Sequence, residues 1–555
     1  MASDYTVGDL VAEFLTACGV TTVFGIASVH NIPMLDAIGR RNAIRFVMAR
    51  GELGGVHMAD GYARAGGGLG VMISSTGPGA ANAVGGMVEA RFAGSPVLHL
   101  TGQTSTRYVD RELGTVHDVH DQLGMLRSVG KGAWRVRSAQ QALGVLTRAV
   151  TEALTAPTGP VSVEVPIDLQ RAPVERPAML DNFVLPIPPP RRPSEAELDE
   201  LAARVLAAKR PLLWLGSGAK AAGPAARRLL DLGFGMLNSI NGKGIVPDSH
   251  PMNLGGLHGN GMPKVQAFYQ GADLLLAAGT RLRGHETGDF SVKLPANVIQ
   301  IDVDPAANGR TYANSWFLCA DAAATLAALA ERITGRMAVD PAFPAQFRAL
   351  RQEVRADFLA TLGVYSSFAE QLAAVMPKDA IWARDVTQNN TTWGNRIFPI
   401  ESPRQNVFPV GAGIGQGLSL GIGAAVAAQA DMTARKTVVM TGDGGFFLNL
   451  GELWTAVQEK LDISVIVMND RGYGVIKRIQ DTFQHGRRFF ADLQGPDLGQ
   501  LAGIAGIPFW KVTQADAFGA TVARSLAHTG PSLVEVDMTA VGEFPAYYPF
   551  NQRAA

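Results

Sequence analysis

The sequence predicts an α/β protein built from three doubly wound parallel-sheet domains. The chain has 555 residues, which is enough for three or four domains. Short β-rich apolar runs alternate with helix-length segments, and this alternation is typical of parallel sheets that are covered by helices. Proline-containing stretches at 172–193 and 334–344 interrupt the alternation. We therefore expect domains at residues 1–172, 190–335 and 350–545.

The first predicted domain contains several apolar runs of strand length. They are residues 22–25, 46–49, 70–74, 97–101 and 161–166. Helix-length segments separate these runs, so consecutive strands can run parallel to each other.

The second predicted domain begins at Pro211 with the run PLLWLGSGAKAAG. Further strands are expected at 273–278 and 298–303. The glycines are spaced GxGxxxxG, which differs from the GxGxxG fingerprint of dinucleotide-binding domains. The sequence therefore predicts a Rossmann-like domain and leaves its ligand, if any, undetermined.

The third predicted domain contains the most informative run, which starts with the tripeptide GDG at 442–444. An apolar strand at 437–440 precedes the tripeptide, and a second strand at 463–468 ends just before Asp470. Because the carboxyl ends of parallel strands meet at one edge of a sheet, we expect Asp443 and Asp470 to lie together. Two carboxylates beside a glycine turn suit a hard cation that bridges a diphosphate.

Composition excludes several other classes of protein. Lys+Arg and Asp+Glu both number 49, so no basic field attracts nucleic acid or an anionic membrane. Two cysteines, Cys18 and Cys319, provide no disulfide framework, which favours a cytoplasmic location. The N-terminus has neither the basic nor the apolar region of a signal peptide. Residues 411–430 carry no charge, but they are too rich in glycine for a membrane span.

The run from Gly442 to Asp470 resembles the metal–diphosphate motif of thiamine diphosphate-dependent enzymes, in which GDG is followed by a paired Asn after the next strand. Supporting matches are VHMADGYAR at 56–64, TGPGAAN at 76–82 and TGQ at 101–103. The resemblance is closest to the acetolactate synthase-like and 2-oxo acid decarboxylase branch. It implies a pyrimidine-binding domain, a central Rossmann-like domain and a diphosphate-binding domain.

The same resemblance implies a cofactor and a metal site. Asp443, Asp470 and the carbonyl of Gly472 are implied as Mg²⁺ ligands, although Asp470 stands where most of the family has Asn. Ile414 aligns with the apolar residue that supports the bent cofactor, and the carbonyl of Gly413 with the acceptor for its amine. The other implied thiamine diphosphate contacts are Gln388, Asn389, Gly442, Gly444, Gly445 and Tyr473.

Four residues are candidates for catalysis. The resemblance places Glu52 where the family has the glutamate that hydrogen-bonds N1′ of the aminopyrimidine, and burial among small residues would favour its protonated form. His117, His120 and Gln122 lie on a polar loop, GTVHDVHDQ, and are expected to face the substrate. Alternatives for the two histidines are solvated loop positions or a metal pair.

The implied function is decarboxylation of a 2-oxo acid, or carboligation, through an enamine. Alternatives are an acyloin or 2-hydroxyacyl lyase with the same cofactor, and an inactive ligand-binding relic. A nicotinamide oxidoreductase is disfavoured by the missing fingerprint, and FAD is compatible with the central domain without support from the sequence. Expected partners are a small 2-oxo acid or acyloin and a second copy of the chain, as homodimer or homotetramer, with Glu52 of one subunit facing Asp443 of the other.

Overall fold

A computed structural model describes residues 5–258, 262–431 and 435–545. This part of the chain contains three separate all-parallel sheets with helices between the strands, so the predicted fold class is confirmed. The domain boundaries at 172, 190, 335 and 350 stay predictions.

The first sheet has six strands. They are β1 Thr22–Gly25, β2 Arg45–Met48, β3 Gly70–Ser74, β4 Val97–Gln103, β5 Gly132–Arg135 and β6 Val161–Pro166. Its helices are α1 Val7–Ala17, α2 Ile32–Arg41, α3 Glu52–Tyr62, α4 Pro78–Ala93, α5 Gln122–Val129, α6 Ala142–Leu154 and α7 Ile167–Gln170. The strand order is β2-β1-β3-β4-β6-β5. Strand β5 was not predicted, because GAWR is only half apolar and β5 is an edge strand.

The second sheet has five strands in the order β11-β10-β9-β7-β8. They are β7 Pro211–Leu215, β8 Gly235–Asn238, β9 Leu274–Ala278, β10 Val298–Asp302 and β11 Trp316–Cys319. Its helices are α8 Glu195–Leu206, α9 Gly223–Asp231, α10 Pro263–Gln270 and α11 Ala322–Ile333. The chain reverses its direction of winding between β9 and β7, which opens a crevice at the carboxyl ends of these strands.

The third sheet has the order β13-β12-β14-β15-β17-β16. Its strands are β12 Ile381–Arg384, β13 Asn406–Val407, β14 Thr437–Gly442, β15 Ile463–Asn469, β16 Phe509–Val512 and β17 Ser532–Asp537. The helices are α12 Phe343–Ala360, α13 Phe368–Val375, α14 Gly417–Ala430, α15 Asp443–Leu448, α16 Glu452–Gln458, α17 Gly474–Phe483, α18 Leu498–Ala505, α19 Phe518–Ala527 and α20 Met538–Val541. Here the reversal falls between β12 and β14, so the GDG run borders the crevice.

Helices α3 and α14 join the first and third domains. A Cβ at Gly61 would collide with the carbonyl of Leu420, and one at Gly423 would collide with the carbonyl of Met58. Glycine is therefore required at both positions for the helices to approach this closely. The uncharged segment 411–430 thus consists of a short loop followed by the interdomain helix α14, which is buried from Gly417 to Ala428. Within the described ranges, no helix combines the length and the hydropathy needed to cross a membrane.

Candidate active site

Asp443 and Asp470 lie together at the carboxyl edge of the third sheet. Strands β14 and β15 pair in parallel with Gly442 opposite Met468, so both aspartates follow their strands at the same level. The carboxyl group of Asp443 is buried and that of Asp470 is partly buried, and their charges interact with each other. Burial and the charge of Asp443 raise the pKa of Asp470 to about 7. The pair therefore favours a proton or a cation between the two carboxylates.

The donor set fits a divalent cation. Asp443 Oδ2 accepts a hydrogen bond from the Gly472 N–H at 2.9 Å, whereas Asp443 Oδ1 is buried and has no hydrogen-bond partner among the described residues. A buried acceptor without a donor is costly, and a metal ion would satisfy it. The described residues contain no group of three or more His, Cys, Asp or Glu side chains that could hold a metal. Further ligands would have to be main-chain, water or cofactor oxygens, and the role of the Gly472 carbonyl stays a prediction.

A cavity of about 460 Å³ opens beside the aspartate pair, and we call it the cofactor cavity. Residues predicted from the sequence that line it are Gln388, Asn389, Ile414, Gly442, Gly444, Gly445, Asp470, Gly472 and Tyr473. Gly413 is not among the described residues that line the cavity, whereas its neighbour Ala412 is. The Ile414 residue is 43% exposed, so it presents an apolar surface to a ligand.

The polar wall of the cofactor cavity is fixed by its own hydrogen bonds. Gln388 Nε2 donates to the carbonyl of Gly474 at 2.6 Å, and Asn389 Oδ1 accepts from the Trp393 indole at 2.7 Å. Opposite them, a Cβ at Gly444 would lie 2.7 Å from the ring of Tyr473. The GDG glycine therefore lets this ring pack against the turn.

Two buried carboxylates hold the loop 410–417, which carries Ile414. Asp385 accepts from the N–H groups of Gly415 and Gly417, both at 3.0 Å. Glu89 accepts from Val410 N–H at 2.6 Å and from Gly411 N–H at 2.8 Å. Neither anchoring role was predicted, although a lone acid in the small-residue helix α4 was a signal for Glu89.

Glu52 is the first residue of α3 and faces α4. Its Oε2 accepts a hydrogen bond from Asn82 Nδ2 at 3.2 Å, and its Oε1 lies near Gly79. The side chain is only half-buried in the single chain, which differs from the burial expected from its small neighbours. All described residues that line the cofactor cavity belong to the third domain, so one chain does not bring Glu52 to that cavity.

The turn before Glu52 is held by a buried acid of the third domain. Glu452, on α16, accepts hydrogen bonds from the N–H groups of Arg50 and Gly51, each at 3.0 Å. Thr455 Oγ1 donates to the same carboxylate at 2.7 Å. Sequence analysis missed Glu452, which lies close to the GDG run but acts on a different domain.

The three polar-loop candidates occupy different environments. Gln122 is buried, and its amide is engaged: Oε1 accepts from Gly77 N–H at 2.6 Å and Nε2 donates to Glu164 at 2.9 Å. In this structure Gln122 fixes the turn at Gly77 through these hydrogen bonds. Its predicted contact with the substrate stays a prediction.

His117 lies beside the same turn, with Nδ1 3.3 Å from the Thr76 carbonyl. Its ring centroid is 4.9 Å from that of His30, and burial together with His117 lowers the pKa of His30. His120 instead lies on the surface, where its side chain is 86% exposed and pairs with Glu112. The structure thus places His117 near Gln122 and His120 in solvent, and it supports no metal pair.

A second cavity, of about 410 Å³, lies at the crevice of the central sheet, and we call it the central cavity. Its lining includes Gly216 and Gly218 after β7, Thr280 after β9 and Asp302 at the end of β10. The position agrees with the general rule for ligands of open α/β sheets. Its volume lies within the range that is typical of small-molecule sites.

Comparison with known families agrees with this geometry. "Thiamine pyrophosphate enzyme, N-terminal TPP binding domain" matches residues 5–125, the corresponding central domain matches 198–329, and the C-terminal TPP binding domain matches 385–536. The chain belongs to the thiamine pyrophosphate (thiamine diphosphate) enzymes. It is an enzyme of their decarboxylase or carboligase type.

Individual relatives cover nearly the whole chain. A probable 2-ketoarginine decarboxylase of Pseudomonas aeruginosa is 32% identical over 85% of this chain and 83% of its own length. A probable acetolactate synthase 2 of Oryza sativa is 30% identical over 95% and 82%. The large subunit of Escherichia coli acetolactate synthase isozyme 1 is 28% identical over 97% and 94%. The predicted family and branch are confirmed.

Proposed function

We propose that the protein is a Mg²⁺- and thiamine diphosphate-dependent enzyme that decarboxylates a 2-oxo acid or joins the resulting fragment to an acceptor carbonyl. The observation that carries the proposal is the aspartate pair with its unpartnered buried oxygen, beside a cavity of about 460 Å³. Similarity to an acetolactate synthase and to a probable 2-ketoarginine decarboxylase supports a 2-oxo acid substrate.

The residues of the chain bind and orient the reactants. The bound thiazolium supplies the carbon nucleophile and the electron sink for decarboxylation. Asp443 and Asp470 would hold the cation that neutralises the diphosphate, and Ile414 would support the apolar part of the cofactor. Glu52 would share a proton with N1′ of the bound cofactor, and the hydrogen bond from Asn82 fixes the orientation of its carboxylate.

We further propose that two chains complete each site. The cofactor cavity and Glu52 do not meet within one chain, and apolar side chains are exposed next to the cavity: Ile414 is 43% and Leu448 is 54% exposed. A second copy that covers these side chains would bring its own Glu52 to the cavity through a two-fold interface. For location we propose the cytoplasm, since Cys18 and Cys319 are both free thiols.

The test uses the purified full chain. Thiamine diphosphate is titrated with and without Mg²⁺, and a panel of 2-oxo acids and acyloins is then assayed for CO₂ and aldehyde. Release of CO₂ from a 2-oxo acid supports the proposal, whereas cleavage of acyloins alone favours the lyase alternative. Cofactor binding that does not depend on Mg²⁺ would contradict the metal site. A visible flavin absorbance would identify FAD as the ligand of the central cavity.

A further inference from the structure

A third cavity lies between the central and third domains, away from both sites described above. Its volume is about 160 Å³. One wall is the central-domain segment 248–257, and the other consists of α12 and residues 396–399. We call it the arginine cavity, because Arg351, Arg355 and Arg396 line it.

The arginine cavity has an excess of positive charge. Arg351 and Arg355 are one turn apart on α12, where like charges repel each other. Within the described ranges, no carboxylate lies within ion-pair distance of either guanidinium group. Behind them Lys243 is buried and forms its 2.8 Å ion pair with Asp248. Burial and the neighbouring Arg351 lower the pKa of Arg355, and the charges of Glu370 and Asp248 only partly offset this effect.

The two α12 guanidinium groups have donors to spare. Arg351 is fixed by bonds from Nε to the Asn253 carbonyl and from Nη2 to the Asp248 carbonyl, both at 2.8 Å. Among the described residues, Arg355 makes one long hydrogen bond, from Nη1 to the Ile397 carbonyl at 3.4 Å. The remaining N–H groups of Arg351 and Arg355 have no acceptor among the described residues. Planar forks of this kind bind oxyanions through paired hydrogen bonds.

The same cavity also offers one acceptor. Asp248 lines it, with Oδ2 bonded to Lys243 and to the Ile400 N–H. Its Oδ1 is buried and lacks a partner among the described residues. An anion that retains a proton near neutral pH could donate that proton to Oδ1, as well as accept from the guanidinium groups. Phosphate has such a proton, whereas sulfate does not.

We propose that the arginine cavity binds phosphate, either free or as the phosphoryl group of a small ester, and that this ligand clamps the central domain to the third domain. The cavity is below the 300–1,000 Å³ typical of sites for drug-sized ligands, so the group bound inside it is small. The cofactor cavity has no Lys or Arg in its described lining. Free phosphate without Mg²⁺ therefore has no comparable cationic site there.

The experiment is a calorimetric titration of the full chain with inorganic phosphate, without Mg²⁺ and at constant ionic strength. We expect saturable binding of phosphate and much weaker binding of sulfate. Arg355→Gln should weaken phosphate binding about tenfold or more, because it removes charge-assisted donors. Arg355 contributes one weak bond to the fold, so this variant should fold, which a thermal unfolding curve verifies.

Two control variants locate the site. Arg348 is on α12 but outside the arginine cavity, and Arg281 lines the central cavity. The variants Arg348→Gln and Arg281→Gln should both bind phosphate as the wild type does. Absence of phosphate binding would overturn the proposal, and so would equal affinity for phosphate and sulfate. The proposal would also fail if Arg281→Gln lost phosphate binding while Arg355→Gln kept it. A small phosphate ester, glycerol phosphate, is then compared with inorganic phosphate, and the tighter ligand identifies the source.

Discussion

Glu52 illustrates how much a single residue depends on its surroundings. It is half-buried at the first position of α3 and is oriented by Asn82. Glu52→Gln keeps the shape and an acceptor for Asn82 but removes the shared proton. We expect turnover to fall by about 10²-fold or more, with cofactor affinity nearly unchanged. The measurement is C2–H exchange on the bound cofactor. Glu195→Gln, at an 85% exposed side chain, is the control, and wild-type exchange in Glu52→Gln would refute the role.

Asp470 provides the second prediction at this scale. If Asp443 and Asp470 share the cation, Asp470→Ala should lose Mg²⁺-dependent cofactor binding, because one of two carboxylate ligands is missing. Asp470→Asn retains an oxygen donor and should bind cofactor at high Mg²⁺. Titration of thiamine diphosphate at several Mg²⁺ concentrations measures both. Asp492→Ala, at a 94% exposed neighbour, should behave as wild type. Unchanged affinity and metal dependence in Asp470→Ala would place the cation elsewhere.

The aspartate pair could be predicted from the sequence. Asp443 and Asp470 directly follow the consecutive strands β14 and β15, so strand pairing alone brings them together. The missed residues act across the chain: Glu452 binds the main chain of residues that are 402 and 401 positions away. No periodicity or local spacing encodes such contacts, because they depend on how two finished domains pack. The exposure of Ile414 was unpredictable for the same reason.

At the scale of secondary-structure elements, Glu452 connects α16 to the start of α3. Glu452→Gln replaces one acceptor oxygen with an amide group that faces the N–H donors of Arg50 and Gly51. We expect the free energy of unfolding to fall by roughly 1–3 kcal/mol. Turnover should decrease as well, because the turn that carries Glu52 is displaced. Denaturant unfolding and kcat test both effects.

A control at the end of α16 separates the positioning of Glu52 by Glu452 from a general effect on helix stability. Glu459→Gln changes the residue that directly follows α16 and pairs with Arg45 at 2.6 Å. That pair is partly exposed, so its loss should cost less than about 1 kcal/mol and leave turnover unchanged. Equal effects of the two substitutions would show that Glu452 does not position Glu52.

For the whole molecule, buried histidines predict a loss of stability in acid. His99 is buried between Ser74 and Ser162, and His57 is buried near Asp60 and Arg64. Burial lowers the pKa of each to about 4, below the ~6.5 of an unfolded histidine. The unfolded state therefore binds more protons between pH 6.5 and 4, and stability is lost as the pH falls through this range.

The size of this effect can be measured with one substitution. Each histidine contributes a slope of about 1.4 kcal/mol per pH unit within the window. His99→Gln should reduce the slope of the free energy of unfolding against pH by that amount between pH 6.5 and 4. Above pH 7, its stability should differ less from that of the wild type than it does within this range. Urea unfolding at several pH values gives the slope. An unchanged slope would mean that His99 is protonated in the folded protein.

The assembly of two chains leads to the last prediction. If Glu52 of one chain completes the cavity of the other, Glu52→Gln and Asp470→Ala damage different halves of each site. A mixed dimer then has one site with both defects and one intact site. Random mixing gives mixed dimers in half of the population, so roughly a quarter of the wild-type activity should return. The assay co-expresses the two variants and compares them with each variant alone. If no activity returns although mixed dimers form, each site is assembled within a single chain, and α3 would have to move relative to the cofactor cavity before catalysis.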